Sequence, residues 1–511
     1  NPLKINIMKK FYLMALCAAV AAFTGCEQKI QVPAPEAEFL AYFGFEACEG
    51  VFPEAVRVDE PEASGVIEFT TPVGTEADAY KALVPVFETT SPDAVVTDAE
   101  GNVIESGKAF DYSKEVDIYV TMTNEGGETS TMYTVSVKAK AALSWKLAAE
   151  SAEATKGDPF MAVNPKNGLP YIATIVNNST SSEQFGMAYK FDGELKPAVG
   201  TSPVFTNFRV GNIAIGFDGS GTPYAAYREY TDSGTGVSKL DGQAASQVGD
   251  PCAFKPYPGS LPAILPASSN SIWVAAQAGA TVGDVTKRMM ELAKWSGSAW
   301  ELVPSITNTR PADAYAYYNE SVHADGNDYL FVFNQSNKSS AQANVTTVSL
   351  YQVNENGWTT VAELLNIHKA DGTPSSDTYL KYQDCDVAKN GDVYFCVGVQ
   401  FTSDLYNAGV VRYRPSDGSQ TLIGGETSIN MAKCAVSFAL DENDTPYIAF
   451  TDENDILNVQ YIDNKTKTWS TPVALSAGAV GTPTIRFNES GDGYIAVSNS
   501  ETKLVQIYSA N

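Results

Sequence analysis

One short pattern recurs seven times between residues 171 and 494. A turn rich in Gly, Asn or Asp runs into an aromatic residue, and small and β-branched residues follow. The copies centre on Tyr171 (NGLPYIAT), Tyr224 (GSGTPYAAY), Trp273 (SNSIWVAA), Tyr329 (DGNDYLFVF), Tyr394 (KNGDVYFCVGV), Tyr447 (ENDTPYIAF) and Tyr494 (SGDGYIAVS). By subtraction, successive aromatics lie 47 to 65 residues apart. A unit of about 50 residues made of strand-forming sequence cannot bury its own apolar face, so the copies must stack. Four short strands per unit make one blade of a β-propeller. The expectation is an all-β chain carrying a seven-bladed propeller over 143–511.

Within a repeat the order is an inner strand, the turn, the aromatic strand and a more polar outer pair. Around Tyr224 these are Asn212 to Phe217, the turn 218–223, Tyr224 to Arg228 and Thr235 to Leu240. Outer strands carry a Trp in SAWELV (Trp300), NGWTTV (Trp358) and KTWSTPV (Trp469). LSWKLAA at Trp145 has the same character but precedes the first aromatic strand, and no Trp segment follows the last one. The segment at Trp145 is therefore expected to complete the final blade and close the ring, removing two exposed sheet edges. DVTKRMMELAKW (284–295) passes for a helix by propensity, yet its place in the repeat makes its second half a strand. The seven aromatics occupy one position per blade and are expected to pack against the next sheet.

The N-terminus carries a different signal. Met8-Lys9-Lys10 precedes a mostly apolar run, Phe11 to Phe23, too short to span a bilayer, and Phe23-Thr24-Gly25-Cys26 follows. This arrangement resembles the lipobox of bacterial lipoproteins, with Phe23 in place of the usual Leu. The resemblance implies a signal peptide over 8–25, lipidation of Cys26 and a membrane anchor, with 26–36 as a tether containing Pro33 and Pro35. Residues 37–140 alternate as strands at Phe39 to Phe45, Val66 to Thr71, Leu83 to Thr89, Glu115 to Thr123 and Met132 to Val137. IEFTTPVGTEAD, LVPVFETT and MYTVSVKA resemble the cadherin-like or immunoglobulin-like domains at the start of many Bacteroidota envelope lipoproteins. That resemblance implies a β-sandwich acting as a spacer, in an outer-membrane or other envelope setting.

Charge and residue types exclude several functions. With 34 basic and 60 acidic residues the formal net charge is −26, which argues against nucleic acid and against docking on anionic lipid. The only histidines, His323 and His368, are too few for a zinc or iron site, and no GxSxG elbow exists for a serine triad. The acidic turns 441–444 and 452–455 bear oxygen ligands suited to calcium but lack the central Gly and terminal Glu of the twelve-residue loop, so they read as polar turns, with no cofactor expected. Cys385 and Cys396 flank Asn390-Gly391, which as a two-residue hairpin turn would set the two thiols opposite each other. Sialidases share a propeller with Asp boxes; GSAW and TKTW keep the Trp of that motif without its Asp-x-Gly frame, so the chain resembles that family only in outline.

In a four-stranded meander, the loops after strand two and those between blades emerge on one face. Here these are the long ones: 200–211, 248–261, 303–319, 334–345, 366–382 and 401–408. Long loops tend to carry function, and these are aromatic. Phe208, Tyr257, Tyr318 and Tyr382, with the bidentate donors Arg209 and Arg310, are the candidate ligand-binding residues. Rings with Arg, Asn and Asp suit a sugar, which stacks its C–H face while its hydroxyls hydrogen-bond. The expectation is a non-catalytic envelope lipoprotein whose long-loop face binds a glycan or an envelope protein. The alternatives are a carboxylate-dependent glycoside hydrolase or lyase on the same propeller, and a scaffold docking an outer-membrane transporter.

Overall fold

The computed structural model describes residues 34–177, 183–230, 234–249, 263–265, 272–282, 285–303, 314–324, 327–336, 346–354, 357–364, 380–400, 405–425 and 431–510. The proposed signal peptide, Cys26 and most of the tether lie outside them. Strands dominate: among the described residues there is no α-helix, only a 3-10 turn at Ala77–Tyr80. No helix of the described residues is long and apolar enough to cross a membrane.

Residues 40–139 form two sheets around one core. One has Leu40–Phe45 between Val56–Asp59 and Pro85–Thr89. The other is ordered Val66–Thr71, Gly127–Ala139, Val116–Asn124, Val95–Asp98, with a parallel first pair. Alternation along Leu40–Phe45 drives Phe43 and Phe45 to full burial. Phe45 meets Phe52, Phe69 and Tyr112 at centroid distances of 5.3, 5.0 and 4.9 Å. Sequence alternation located five of these strands and missed Val56–Asp59 and Val95–Asp98, each only four residues long.

From residue 146 onward, four-stranded antiparallel meanders follow one another. They cover 160–197, 210–247, 263–302 and 314–364; 380–423 and 431–474 join into one larger sheet where Leu405 and Tyr406 pair with Ala432 and Met431. The last has strands Thr484–Phe487, Gly493–Ser498 and Leu504–Ala510, and its outer strand is Lys146–Ala154 from the start of the region. The closure expected at Trp145 is therefore formed by the residues just after it. The segment 284–295 is strand almost throughout, Val285–Trp295.

Apolar cores lie between successive sheets. One unites Tyr171 with Ile215, Phe217 and Tyr227. Another joins Met161, Ile172 and Tyr189 of the first sheet to Val505 and Ile507 of the last. The succession thus returns to its start, which defines a β-propeller. The repeat aromatics bridge sheets as their spacing implied: Tyr171 meets Phe217 edge-on at 5.2 Å, Tyr394 stacks on Phe438 at 6.2 Å, and Tyr447 lies 5.0 Å from Phe487. Tyr494 of the last sheet meets Phe191 of the first at 6.1 Å.

The turns between inner and second strands share one mechanism. At Asp218, Asp441 and Asn488 the side-chain oxygen accepts the backbone N–H groups two and four residues on. The residue three positions on is left-handed: Gly221, Asp444 and Gly491. A short acceptor side chain at one end and a left-handed residue near the other set a five-residue loop. The turn at 388–392 has the same length, with Gly391 at φ +82° and Asn390 Oδ1 accepting the Asp392 N–H. Val387 therefore pairs with Val393, and Cys385 with Phe395. The expected Cys385–Cys396 opposition is wrong by one residue, because Asn390-Gly391 is the centre and not the whole of the loop; Cys396 pairs with Asp384.

The sandwich rests on the face of these short turns. Lys140 Nζ donates to both Glu442 carboxylate oxygens at 2.6 Å and lies 3.6 Å from Asp441 Oδ2. Asn464 Nδ2 donates to Gly50 O and Thr75 Oγ1, both at 2.6 Å. Ion pairs Lys465–Glu76 (2.8 Å) and Lys389–Glu54 (3.3 Å) lie at the periphery. The long-loop face is the opposite one.

Candidate functional site

Inner strands reach the long-loop face through irregular backbone. The pairing of Val210–Phe217 slips between Gly211 and Ile213, placing Asn212 in the left-handed region at φ +44°. Ala314–Ala324 slips between Ala316 and Asn319, Leu380–Val387 between Leu380 and Gln383, and Met431–Leu440 between Met431 and Val436. All four irregularities lie at the same end of the inner strand. Bulges bend a strand and re-aim its residues, and they concentrate beside binding sites. Tyr318 and Tyr382 occupy two of these slips. They were expected in loops, but the strands continue past the bulges, so both residues belong to strand ends at the mouth.

Arg209 stands exposed at the entry to Val210–Phe217, its guanidinium 4.2 Å from the centroid of the Tyr230 ring. Arg228, at the end of the paired strand, places its guanidinium 4.3 Å from the same ring. Both guanidiniums gain quadrupole attraction from the one ring while repelling each other. Gly211 makes the platform: a Cβ there would lie 2.9 Å from the Tyr230 ring. Phe208 is half-buried against Tyr227 at 5.8 Å and packs with the core between two sheets. Tyr257 and Arg310 fall outside the described residues. Sequence reasoning missed Arg228 and Tyr230. Their position just before a between-strand loop was the available signal.

A second polar constellation joins the inner strands of three successive sheets. Asp384 Oδ2 accepts from Arg486 Nη1 at 2.8 Å, from the Phe438 N–H at 3.0 Å and from the Ser437 hydroxyl. Ser437 Oγ in turn accepts the Ile485 N–H at 3.0 Å. Two residues along, on the same side of the strand, Asp386 Oδ2 accepts the Leu440 N–H at 2.9 Å. Desolvation pushes the Asp386 carboxyl up to about 6 despite these N–H donors. An inner strand has no strand partner on its axial side, and these carboxylates satisfy its N–H groups. The arrangement holds sheets together and also sets two acids of different character side by side.

Acidity also gathers at the short-turn face. Desolvation raises Asp441 to about 6 and Asp444 to about 7, the Glu442 charge adding to the first and the Lys389 N–H opposing the second. Asp441, and Asp452 at the opposite end of Pro446–Asp452, spend their Oδ1 atoms on turn N–H groups. Among the described residues no cluster of three or more His, Cys, Asp or Glu is arranged to hold a metal ion.

No protein-family model matches the chain, and no curated protein matches it. Among solved structures, an ulvan lyase is similar with a TM-score of 0.48 and 11% identity, covering 71% of this chain and 95% of its own. An α-L-arabinofuranosidase from Fusarium graminearum gives 0.42 and 9%, covering 60% and 94%. A Penicillium chrysogenum α-L-arabinanase complexed with arabinobiose gives 0.40 and 12%, again covering 60% and 94%. At these scores the propeller assignment rests on the strand pairing described above.

Proposed function

We propose that this chain is a glycan-directed protein of the cell envelope. In this reading Cys26 carries a lipid anchor, an immunoglobulin-like sandwich acts as a spacer, and a seven-bladed propeller offers its long-loop mouth to a glycan. The observation that carries it is the mouth itself. Bulges recur at one end of four inner strands, beside the Arg209–Tyr230–Arg228 platform, on the face away from the sandwich. Two guanidiniums held in place over an aromatic ring offer bidentate donors to the hydroxyls of a sugar.

The enzymatic form of this reading, a glycoside hydrolase or lyase, has one observation that favours it over a non-catalytic receptor. Asp384 and Asp386 lie two residues apart on an inner strand, hence roughly 6.6 Å apart along it at ~3.3 Å per residue. One is tied to Arg486, and the other holds its proton to about 6. A carboxyl raised by burial with a second carboxyl beside it supplies the residue types that glycoside hydrolysis uses.

The test is a glycan array probed with the purified chain, each spot checked for cleavage, with arabinobiose and ulvan fragments included. Binding that Arg209→Gln and Tyr230→Leu abolish supports the mouth. Cleavage lost in Asp386→Asn, with binding kept, selects the enzyme. No binding to any glycan would overturn the reading and leave an envelope protein as the partner to seek.

A further inference from the structure

The junction between the sandwich and the propeller is not fully closed. A cleft of about 780 Å³ lies between the sandwich loop 47–53 and the turns of sheets 380–423 and 431–474. This volume falls in the range of small-molecule sites, which favour domain junctions. The lining has a definite charge pattern. Arg412 and Arg414 are two residues apart on Leu405–Arg414, so both side chains leave one face of the strand. They share a single buried carboxylate, with Asp392 Oδ2 3.7 Å from Arg412 Nε and 3.4 Å from Arg414 Nε.

The other partner of the arginine pair is weak. Glu49 reaches across from the sandwich to 4.0 and 3.7 Å, at the limit of an ion pair, with its side chain 82% exposed. Lys467 lines the same cleft and gives its hydrogen bond to the neutral Asn464 amide oxygen. Burial lowers its proton affinity, so its ammonium lacks full solvation. In the same lining, burial pushes Asp444 up to about 7, leaving this carboxylate partly neutral near physiological pH. Within ion-pair distance Arg412 and Arg414 thus have one committed carboxylate, Asp392, and one loosely held one, Glu49. The charge of Asp417 also acts on Arg414, and that of Asp463 on Lys467.

We propose that this cleft binds a small organic oxyanion, a carboxylate or a sulfate on a sugar-sized molecule, seated between Arg412, Arg414 and Lys467 in place of Glu49. The guanidinium pair offers bidentate donors to a planar carboxylate or to two sulfate oxygens. Glu49 acts as an internal competitor, because its carboxylate occupies the guest's position without the burial to hold it there. The site is separate from the long-loop mouth and stands whatever that mouth binds.

The exposed Cys48 at the rim supplies a readout. The full chain is titrated calorimetrically with glucuronate, with glucose 6-sulfate and with glucose, and Cys48 alkylation is followed by mass spectrometry. Binding of at least one acidic sugar, slowed Cys48 alkylation and no effect of glucose are expected; the two acidic arms separate carboxylate from sulfate. Arg414→Gln should weaken binding at least tenfold. Glu49→Gln should tighten it severalfold, a gain that misfolding cannot imitate. Lys138→Gln, which removes an exposed ion pair of the sandwich away from the cleft, should leave it unchanged. The proposal is overturned if neither acidic sugar binds even to the Glu49→Gln protein, or if glucose binds equally well.

Discussion

Replacing Asp441 with Asn removes one buried charge and keeps the turn that the residue organises. Its Oδ1 accepts the Asn443 and Thr445 N–H groups at 2.9 and 2.8 Å, and an amide oxygen does the same. Its Oδ2 is buried without a hydrogen bond, 3.6 Å from Lys140 Nζ. Desolvation first, then the Glu442 charge, raise the carboxyl from 3.8 to about 6, Lys140 opposing them. The folded state therefore holds the proton more tightly than the unfolded one. Stability falls as pH rises through the window from about 4 to about 6, and the penalty is complete above it. At ~1.4 kcal/mol per pKa unit, that penalty is roughly half developed at pH 5 and reaches about 3 kcal/mol at pH 8. The Asn variant carries no such pH-dependent penalty, and the fixed cost of its buried amide N–H cancels between the two pH values. Relative to the parent it should therefore be more stable at pH 8 than at pH 5 by about 1 kcal/mol. Urea titration at the two pH values, followed by tryptophan fluorescence, measures this. All six tryptophans lie at residue 145 or beyond, so the signal reports on the propeller. pH 5 stays clear of the isoelectric point near 4.4. An offset equal at both pH values within about 0.5 kcal/mol, or one larger at pH 5, would refute the reasoning.

Lys140→Met leaves Asp441 and Glu442 facing each other under the sandwich; the same titration at pH 8 should show a loss of about 1–3 kcal/mol, smaller at pH 5 where Asp441 is largely protonated. Gly211→Ala pushes on the Tyr230 ring, a movable side chain, so the melting temperature should shift little while glycan binding on the array drops. Tyr171→Ala empties the contact with Phe217 and should cost about 3–5 kcal/mol by urea titration, with no change in the glycan profile of the remaining folded protein.

The propeller was legible because a blade is a local object repeated along the chain. The aromatic after each turn, the Trp of the outer strand and the stray copy at Trp145 all follow from one sheet packing on the next. The closing pair, Leu504–Ala510 with Lys146–Ala154, could be inferred from that bookkeeping of outer strands alone. Hairpin register was less legible. Asn390-Gly391 reads as a two-residue turn in isolation, whereas the chain uses a five-residue loop. The recurring signature, Asp or Asn followed three residues later by Gly or Asp, stands at 98, 218, 441, 452 and 488 and marks that loop length.

The mouth was legible as a face but not as a set of contacts, and the reason is geometric. Bulges at Asn212, Tyr317–Tyr318 and Lys381–Tyr382 arise from a mismatch of residue count between two strands. Neither strand alone encodes such a mismatch. Arg228 and Tyr230 come together with Arg209 only because Gly211 pairs with Arg228 across the sheet. The interdomain cleft is further from the sequence still, since it needs Glu49 and Arg414, some 365 residues apart by subtraction, to meet. What directs attention there is charge. In a chain with 34 basic residues against 60 acidic ones, cations that gather beside too few carboxylates mark where an anion is favoured. Arg412 and Arg414 at the junction are such a gathering, and they lie on the face of the propeller opposite Arg209 and Arg228.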